Sequence, residues 1–180
     1  MGECMEEIKF IDNDLNPIKE RLKDLIDSLE FEFLCALDDE DKISDQSYNG
    51  LYLIEVCTKG RHKNLESWIS NFVNEWDVPE YKAKFTSTTK KKRIAKHKSL
   101  KEWMPLYLGK SSNVGKRILE HINLPMDKRT FALKIKSRSN IEELSFRVSV
   151  IRLNVSNYQF IAPPLESGMR DKINPIVGKQ

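Results

Sequence analysis

Only three cysteines occur in the 180 residues, Cys4, Cys35 and Cys57, an odd number with no CxxC pair. That usage excludes a disulfide framework and a Cys-based zinc site, and it leads us to expect reduced thiols in a cytoplasmic compartment. Long apolar runs are also missing: the longest, Phe33 to Leu37, is far short of the ~18 residues that a membrane span requires, so no membrane partner is expected. The acidic start Met1 to Glu6 has neither a basic cluster nor an apolar stretch, so no secretory signal is expected. Glu6 stands where a myristoylation motif wants Ser or Thr. There is no Walker loop, no GxGxxG, no GxSxG and no HExxH, which removes the commonest nucleotide-binding, serine-hydrolase and zinc-protease signatures.

What is present is a globular balance of 39% hydrophobic and 32% charged residues, too apolar for a disordered chain. The length suits one domain, or one domain with an elaboration. The net charge of +3 conceals an asymmetry: residues 1–45 carry 15 Asp+Glu against 5 Lys+Arg, and the remainder carries 25 Lys+Arg against 12 Asp+Glu. Lys82 to Lys101 holds nine Lys+Arg and no acid. Such a run attracts a polyanion through counterion release; its bland readings are a solvated loop or a targeting address. Lys90, Lys91, Lys92, Arg93, Lys96 and Lys98 are its candidate contacts to such a polyanion.

Periodicity supplies the elements. Asn16-Pro17 reads as a helix start, and Leu15, Ile18, Leu22, Leu25, Ile26 and Leu29 follow at helical spacing. That stripe is read as facing the domain core, with self-association as the lesser alternative. Phe31 to Leu37 fits either a continued helix or a strand, and Asp38 to Asn49 an acidic connector. Gly50 to Val56 reads as a strand. Leu65, Trp68, Ile69, Phe72, Val73 and Trp76 mark a helix with a wide core-facing stripe, ended by Pro79. Met104 to Gly109 reads as a strand, followed by a short helix capped near Ser111 or Ser112 and running to about Ile122. Phe131 to Ile135 and Ser145 to Leu153 are further strand candidates, and Pro163-Pro164 prepares a last helix over Leu165 to Ile173. Strands and helices mix without βαβ alternation, so the expected class is α+β, a small, mainly antiparallel sheet flanked by helices. Two parts are expected: an acidic helical segment, 1–49, and a main domain, 50–180, with a basic helical insertion at about 58–103.

The polar residues with chemical potential are scattered over these elements: Tyr52, Tyr107, Gly109, Lys110, Arg117, His121, Glu166 and Asn174. Arg117 and His121, four apart, project from one helix face.

In this order the set resembles the GIY-YIG nuclease superfamily. Gly50-Leu51-Tyr52 and Tyr107-Leu108-Gly109 correspond to its two half-motifs, with Leu for Ile. Lys110 and Arg117-Ile118-Leu119-Glu120-His121 match the lysine and the Arg-x-x-x-His that follow. Glu166 corresponds to the metal-binding glutamate, and Asn174 to Lys179 to the segment after it in restriction-type members. One departure is the 55-residue separation of Tyr52 and Tyr107, where the family has a short hairpin. The insertion is tolerable if its ends lie close together, because loop entropy grows only logarithmically with length.

The resemblance implies a metal-dependent DNA endonuclease, most simply of restriction type. Tyr52, Tyr107, Lys110, Arg117, His121 and Glu166 would be its catalytic residues, with Gly109 and Asn174 in support. Tyr107 is the favoured base, made acidic by Lys110 and Arg117; Arg117 would hold phosphate. Glu166 would hold one Mg²⁺, or another divalent cation such as Mn²⁺. His121 would orient water or protonate a leaving group, and Tyr52 would bind phosphate or support the base. The partners implied are double-stranded DNA and a second copy in a symmetric homodimer, with the N-terminal helix as the contact. Two other readings remain open: a nucleic-acid-binding module that keeps the fold without the chemistry, and a repair or mobile-element nuclease.

Overall fold

A computed structural model describes residues 2–60, 62, 64–82 and 85–178; Lys84 of the basic run and Lys179 of the C-terminal segment lie outside them. Four strands, β1 (Glu32–Ala36), β2 (Gly50–Cys57), β4 (Trp103–Ser111) and β5 (Phe146–Arg152), form one sheet in the order β1-β5-β2-β4. Every pairing in it is antiparallel. The α+β class expected from the sequence is the one observed. No helix among the described residues is long and apolar enough to cross a membrane.

Both faces of the sheet are covered, and β2 shows why. Tyr52, Ile54 and Val56 point to one side, while Leu51 and Leu53 point to the other, as the two-residue strand period requires. The first side packs on α3 (Leu65–Trp76) and α6 (Val114–Asn123). The second packs on α7 (Tyr158–Ile173) through Leu165 and Met169, and through it on the end of α1 (Gly2–Ser28). A strand buried on both faces becomes a nearly continuous apolar run, which is how Leu51 to Ile54 reads.

The inserted segment is part of the core. Asn64 caps α3, its side-chain oxygen accepting the Ser67 N–H at 2.9 Å. Trp68, Phe72 and Trp76 are each at most 2% exposed and stack in series at 5.1 and 5.4 Å. The Arg138 guanidinium lies 4.1 Å over the Trp76 ring and donates to the Trp76 carbonyl. The insertion also leaves and re-enters the sheet at adjacent points: Cys57 pairs with Trp103, and the Thr58 N–H donates to the Glu102 carbonyl at 2.9 Å. The condition for a tolerable insertion is therefore met.

Beyond α3 come α4 (Pro79–Lys82), β3 (Thr88–Thr89) and α5 (Lys91–Ile94). β3 pairs with β6 (Val177–Gly178). The Lys90 N–H donates to Ile176, the Ile176 N–H to Pro105, and His97 Nε2 lies 2.8 Å from the Asn174 carbonyl. These bonds tie the basic segment to the chain end and to β4. Asn174 itself closes α7 in the left-handed conformation, φ 55°, a position that Asn tolerates better than most residues.

Several elements differ from the sequence reading. α1 does not start at Asn16 but runs through Pro17 from Gly2; the helix there is exposed, so water can satisfy the carbonyl that Pro17 leaves without a donor. Phe31 to Leu37 resolves as β1, and the acidic connector holds a short helix, α2 (Glu40–Ser44). The segment before Gly50 thus contributes an edge strand of the main sheet. Phe131 to Ile135 is not a strand: Leu133 gives its N–H to His121, and Lys134 turns left-handed, φ 56°, into a 3₁₀ turn. α7 begins at Tyr158 and takes both prolines inside it.

Candidate active site

The two half-motifs meet across the β2–β4 ladder. Tyr52 lies directly opposite Gly109, and Ile54 opposite Tyr107. Immediately beyond, the register shifts so that Glu55 faces Pro105. The extra residue, Leu106, makes a β-bulge that leaves Leu106 and Tyr107 both against the α3–α6 side. Tyr52 and Tyr107 therefore share a face and stack, centroids 6.2 Å apart at 25°. Gly109 is what permits this. A Cβ there would stand 2.7 Å from Tyr52 Cζ and 2.9 Å from Tyr107 Cε1, inside any real carbon–carbon contact.

α6 brings the third ring. Asn113 caps it, accepting the Lys116 N–H at 2.9 Å, and the helical spacing aims Arg117 and His121 the same way. His121 is fully buried, with its centroid 5.6 Å from that of Tyr52 and 4.7 Å from that of Tyr107. Its Nδ1 accepts the Leu133 backbone N–H at 3.0 Å, and its Nε2 lies 2.9 Å from the Tyr52 hydroxyl. An Nδ1 that accepts leaves the neutral ring's proton on Nε2, so Nε2–H donates to Tyr52 Oη. Burial, and then the Arg117 charge, hold the His121 pKa well below its ordinary value, so the ring is neutral. The Tyr52 proton is then free for the Tyr107 oxygen, and a hydrogen bond in that direction favours the Tyr107 phenolate.

The net effect on the phenols is nevertheless upward. Burial dominates at both: Tyr52 is pushed well above the usual tyrosine value, and Tyr107 is raised despite the opposing pull of Arg117. The expectation that basic neighbours alone make Tyr107 acidic does not hold, because desolvation of a phenolate outweighs the attraction of a nearby guanidinium. Arg117 is anchored by Glu120 and by the Phe131 carbonyl.

The site opens at the outer edge of β4, in a cavity of about 250 Å³ lined by Arg93, Tyr107, Leu108, Glu166, Arg170, Val177 and Gly178. Glu166, on α7, has one carboxylate oxygen 2.5 Å from Arg170 and the other 3.7 Å from Lys110 Nζ. Tyr52, only 1% exposed, and His121 lie behind Tyr107 and outside this lining. The sequence roles of contacting phosphate, water or a leaving group do not suit two buried side chains. Both rings pack directly against that of Tyr107.

Tyr107, Lys110, Glu166 and the Arg117–His121 pair, dispersed in the chain, thus come together. Lys91, Lys92, Lys96 and Lys98 do not: they are exposed on and just after α5, and Lys90 is half-buried at its start. Arg93 separates from that group and turns into the cavity, where burial and Arg170 oppose its charge and Asp171 and Glu166 favour it. Sequence reasoning missed Arg170. Its signal was available, since a Glu–Arg pair at i,i+4 on one helix face is a standard ion-pair spacing. Arg93 as a cavity residue had no such signal, because only the β3–β6 pairing carries it there.

No group of three or more His, Cys, Asp or Glu among the described residues is placed to hold a metal. One carboxylate on a polar cavity fits only a hard cation that keeps most of its ligands as water or substrate oxygen, which is how Mg²⁺ binds. No family model, curated protein or solved structure matches the chain.

Proposed function

We propose that the protein is a divalent-metal-dependent DNA endonuclease of the GIY-YIG type, restriction-like in cutting a defined duplex site. The observation that carries this reading is the stack of Tyr52 and Tyr107 across the paired half-motifs, with His121 behind it and Glu166 beside Tyr107 on one cavity. In the reaction a water oxygen forms a bond to phosphorus, the ester P–O bond breaks, and the water's proton passes to Tyr107 Oη. The departing ester oxygen takes a proton from solvent. His121, donating to Tyr52 Oη, leaves the Tyr52 proton to be directed at Tyr107, where donation would offset part of the burial that disfavours the Tyr107 phenolate. Arg93, Arg170 and Lys110 supply positive charge where the phosphoryl group gains negative charge. Glu166 would hold Mg²⁺ or Mn²⁺, which supplies Lewis-acid polarisation of the phosphate.

The exposed lysines of α5 suit backbone contacts that position the duplex without reading it. A second reading, a nucleic-acid-binding module without chemistry, draws on one feature: both Glu166 oxygens already face cations, which leaves the carboxylate partly neutralised. One assay separates the two. Purified protein is incubated with plasmid and Mg²⁺ beside Glu166→Ala and Tyr107→Phe variants. Cleavage by the native protein alone is the expected result. Uncut plasmid with a retained gel shift selects the binding module, and cleavage by both variants rejects the site.

A further inference from the structure

We infer that α1 is the seam of an antiparallel two-fold homodimer, in which the N-terminal half of one α1 lies in the groove between the C-terminal half of the partner's α1 and its α7. Three observations carry this. First, Cys4, Ile8, Ile11, Leu15, Ile18, Leu22, Leu25 and Leu29 alternate at intervals of four and three without a break. That is a strict a/d heptad seam, whose 3.5-residue period suits a second helix.

Second, most of this seam is unpaired in the protomer, Leu22 and Leu29 alone packing beside Ile26 on the sheet's second side. Ile8, Ile11, Leu15, Ile18 and Leu25 are 43–57% exposed. The contact with α7 is centred on Ile26, flanked by Leu22 and Leu29 of the seam, and the Ile26 side chain sits so close to Gly168 that a Cβ there would be 3.0 Å from Ile26 Cγ1. Between that contact and the seam runs an apolar groove of about 1230 Å³, bordered by Leu15, Ile18, Leu22 and Phe160. Phe160 is 81% exposed.

Third, the charges choose the partner and its direction. The groove wall carries Lys19, Arg21 and Lys23, while residues 2–14 carry five acids and one lysine. With two copies antiparallel and centred between Asn16 and Pro17, the layers are Ile8–Leu25, Ile11–Leu22 and Leu15–Ile18. The flanking e–e pair is then Asp12 with Lys19, and the g–g pair is Asp14 with Arg21; both are attractive, and both occur twice by symmetry. A parallel pair instead sets Glu7 against Asp12. Pro17 occupies a c position, on the side away from the seam. In the protomer Lys19 Nζ lies 3.8 Å from its own Asp12, an exposed pair that the dimer would exchange for the equivalent one between copies.

The test is light scattering after gel filtration on the full chain at tens of micromolar. The expected mass is twice the chain's 21.0 kDa. Ile11→Glu with Ile18→Glu should halve it while leaving the circular dichroism spectrum unchanged, because both residues are exposed in the protomer. In a Cys4→Ser background, the double variant Ile8→Cys with Leu25→Cys should on oxidation form a disulfide from position 8 of one chain to position 25 of the other; within one helix those positions are about 25 Å apart and cannot join. A native mass of one chain, a dimer that survives the double Glu variant, or disulfides that join the two copies of position 8 to each other would each overturn the inference. None of these readouts depends on nuclease activity.

Discussion

The Tyr52 hydroxyl accepts from His121 Nε2 at 2.9 Å while His121 Nδ1 accepts from the Leu133 amide, so a backbone N–H on the loop after α6 sets the proton direction of a side chain on β2. Replacing Tyr52 by Phe keeps the ring but strands a fully buried Nε2–H. A donor left unsatisfied in the interior costs about 1–3 kcal/mol, and the proposed base Tyr107 loses the hydroxyl stacked beside it. Urea denaturation should show a loss of this size. Cleavage should fall at least tenfold with little change in DNA affinity by gel shift, since Tyr52 does not line the cavity.

Gly109→Ala should be more disruptive than its single methyl suggests. The new Cβ overlaps both phenol rings; Tyr52 cannot retreat, because it is fully buried and hydrogen-bonded to a buried histidine, so the strain falls on Tyr107, which is half-buried at the cavity. Overpacking of this kind costs about 1–3 kcal/mol. The diagnostic readout is the intrinsic tyrosine absorption near the alkaline limit: Tyr107, displaced from its stack toward water, should titrate at lower pH than in the native protein, where burial raises it.

Much of this arrangement was legible in the chain. Alternating faces of β2, the aromatic stripe of α3 and the Arg117–His121 spacing follow from local period, which depends only on neighbours in sequence. Gly109 was legible as a motif letter, but its reason was not, since the clash is with Tyr52 from another strand. The insertion misled differently. Its charge suggested a separate DNA-gripping piece, while Trp68 and Trp76 are core residues and Arg93 is delivered to the cavity by a β3–β6 pair two residues long. Pairings so short leave no periodic trace. α1 failed at Pro17, where a strong start signal is overridden in an exposed helix that can give one carbonyl to water.

His121 also makes stability depend on pH in a known direction. Its folded pKa is depressed by burial and by Arg117, so the native state resists a proton that the unfolded chain takes up below about pH 6.5. The contribution is fully present above that value and is lost as pH falls toward the folded pKa, with a slope of at most ~1.4 kcal/mol per pH unit. Urea midpoints measured between pH 7 and pH 5 should decline for the native protein. His121→Asn, less stable overall, should show a flatter decline, and equal slopes for the two would place the pH dependence on other groups.

The two kinds of basic residue in the insertion should separate by salt. Lys91, Lys92, Lys96 and Lys98 are exposed and lie outside the cavity lining, so under the proposed function their contribution to binding would be release of counterions from the duplex. Removing one lysine–phosphate pair lowers the slope of log K against log salt by about 0.9. Changing all four to Ala should reduce that slope by up to ~3.6 on the same basis, equally for specific and unrelated duplexes. Arg93 faces Glu166 and Arg170 in the cavity, where the proposed reaction would place one phosphate. Arg93→Ala should therefore change the slope by no more than a single phosphate's worth while cutting the cleavage rate at saturating DNA. Fluorescence anisotropy across 50–200 mM salt, paired with single-turnover cleavage, reads both quantities. A fall in slope from Arg93→Ala as large as that from the four lysines would mean that the arginine grips backbone along with them and has no distinct place in the site.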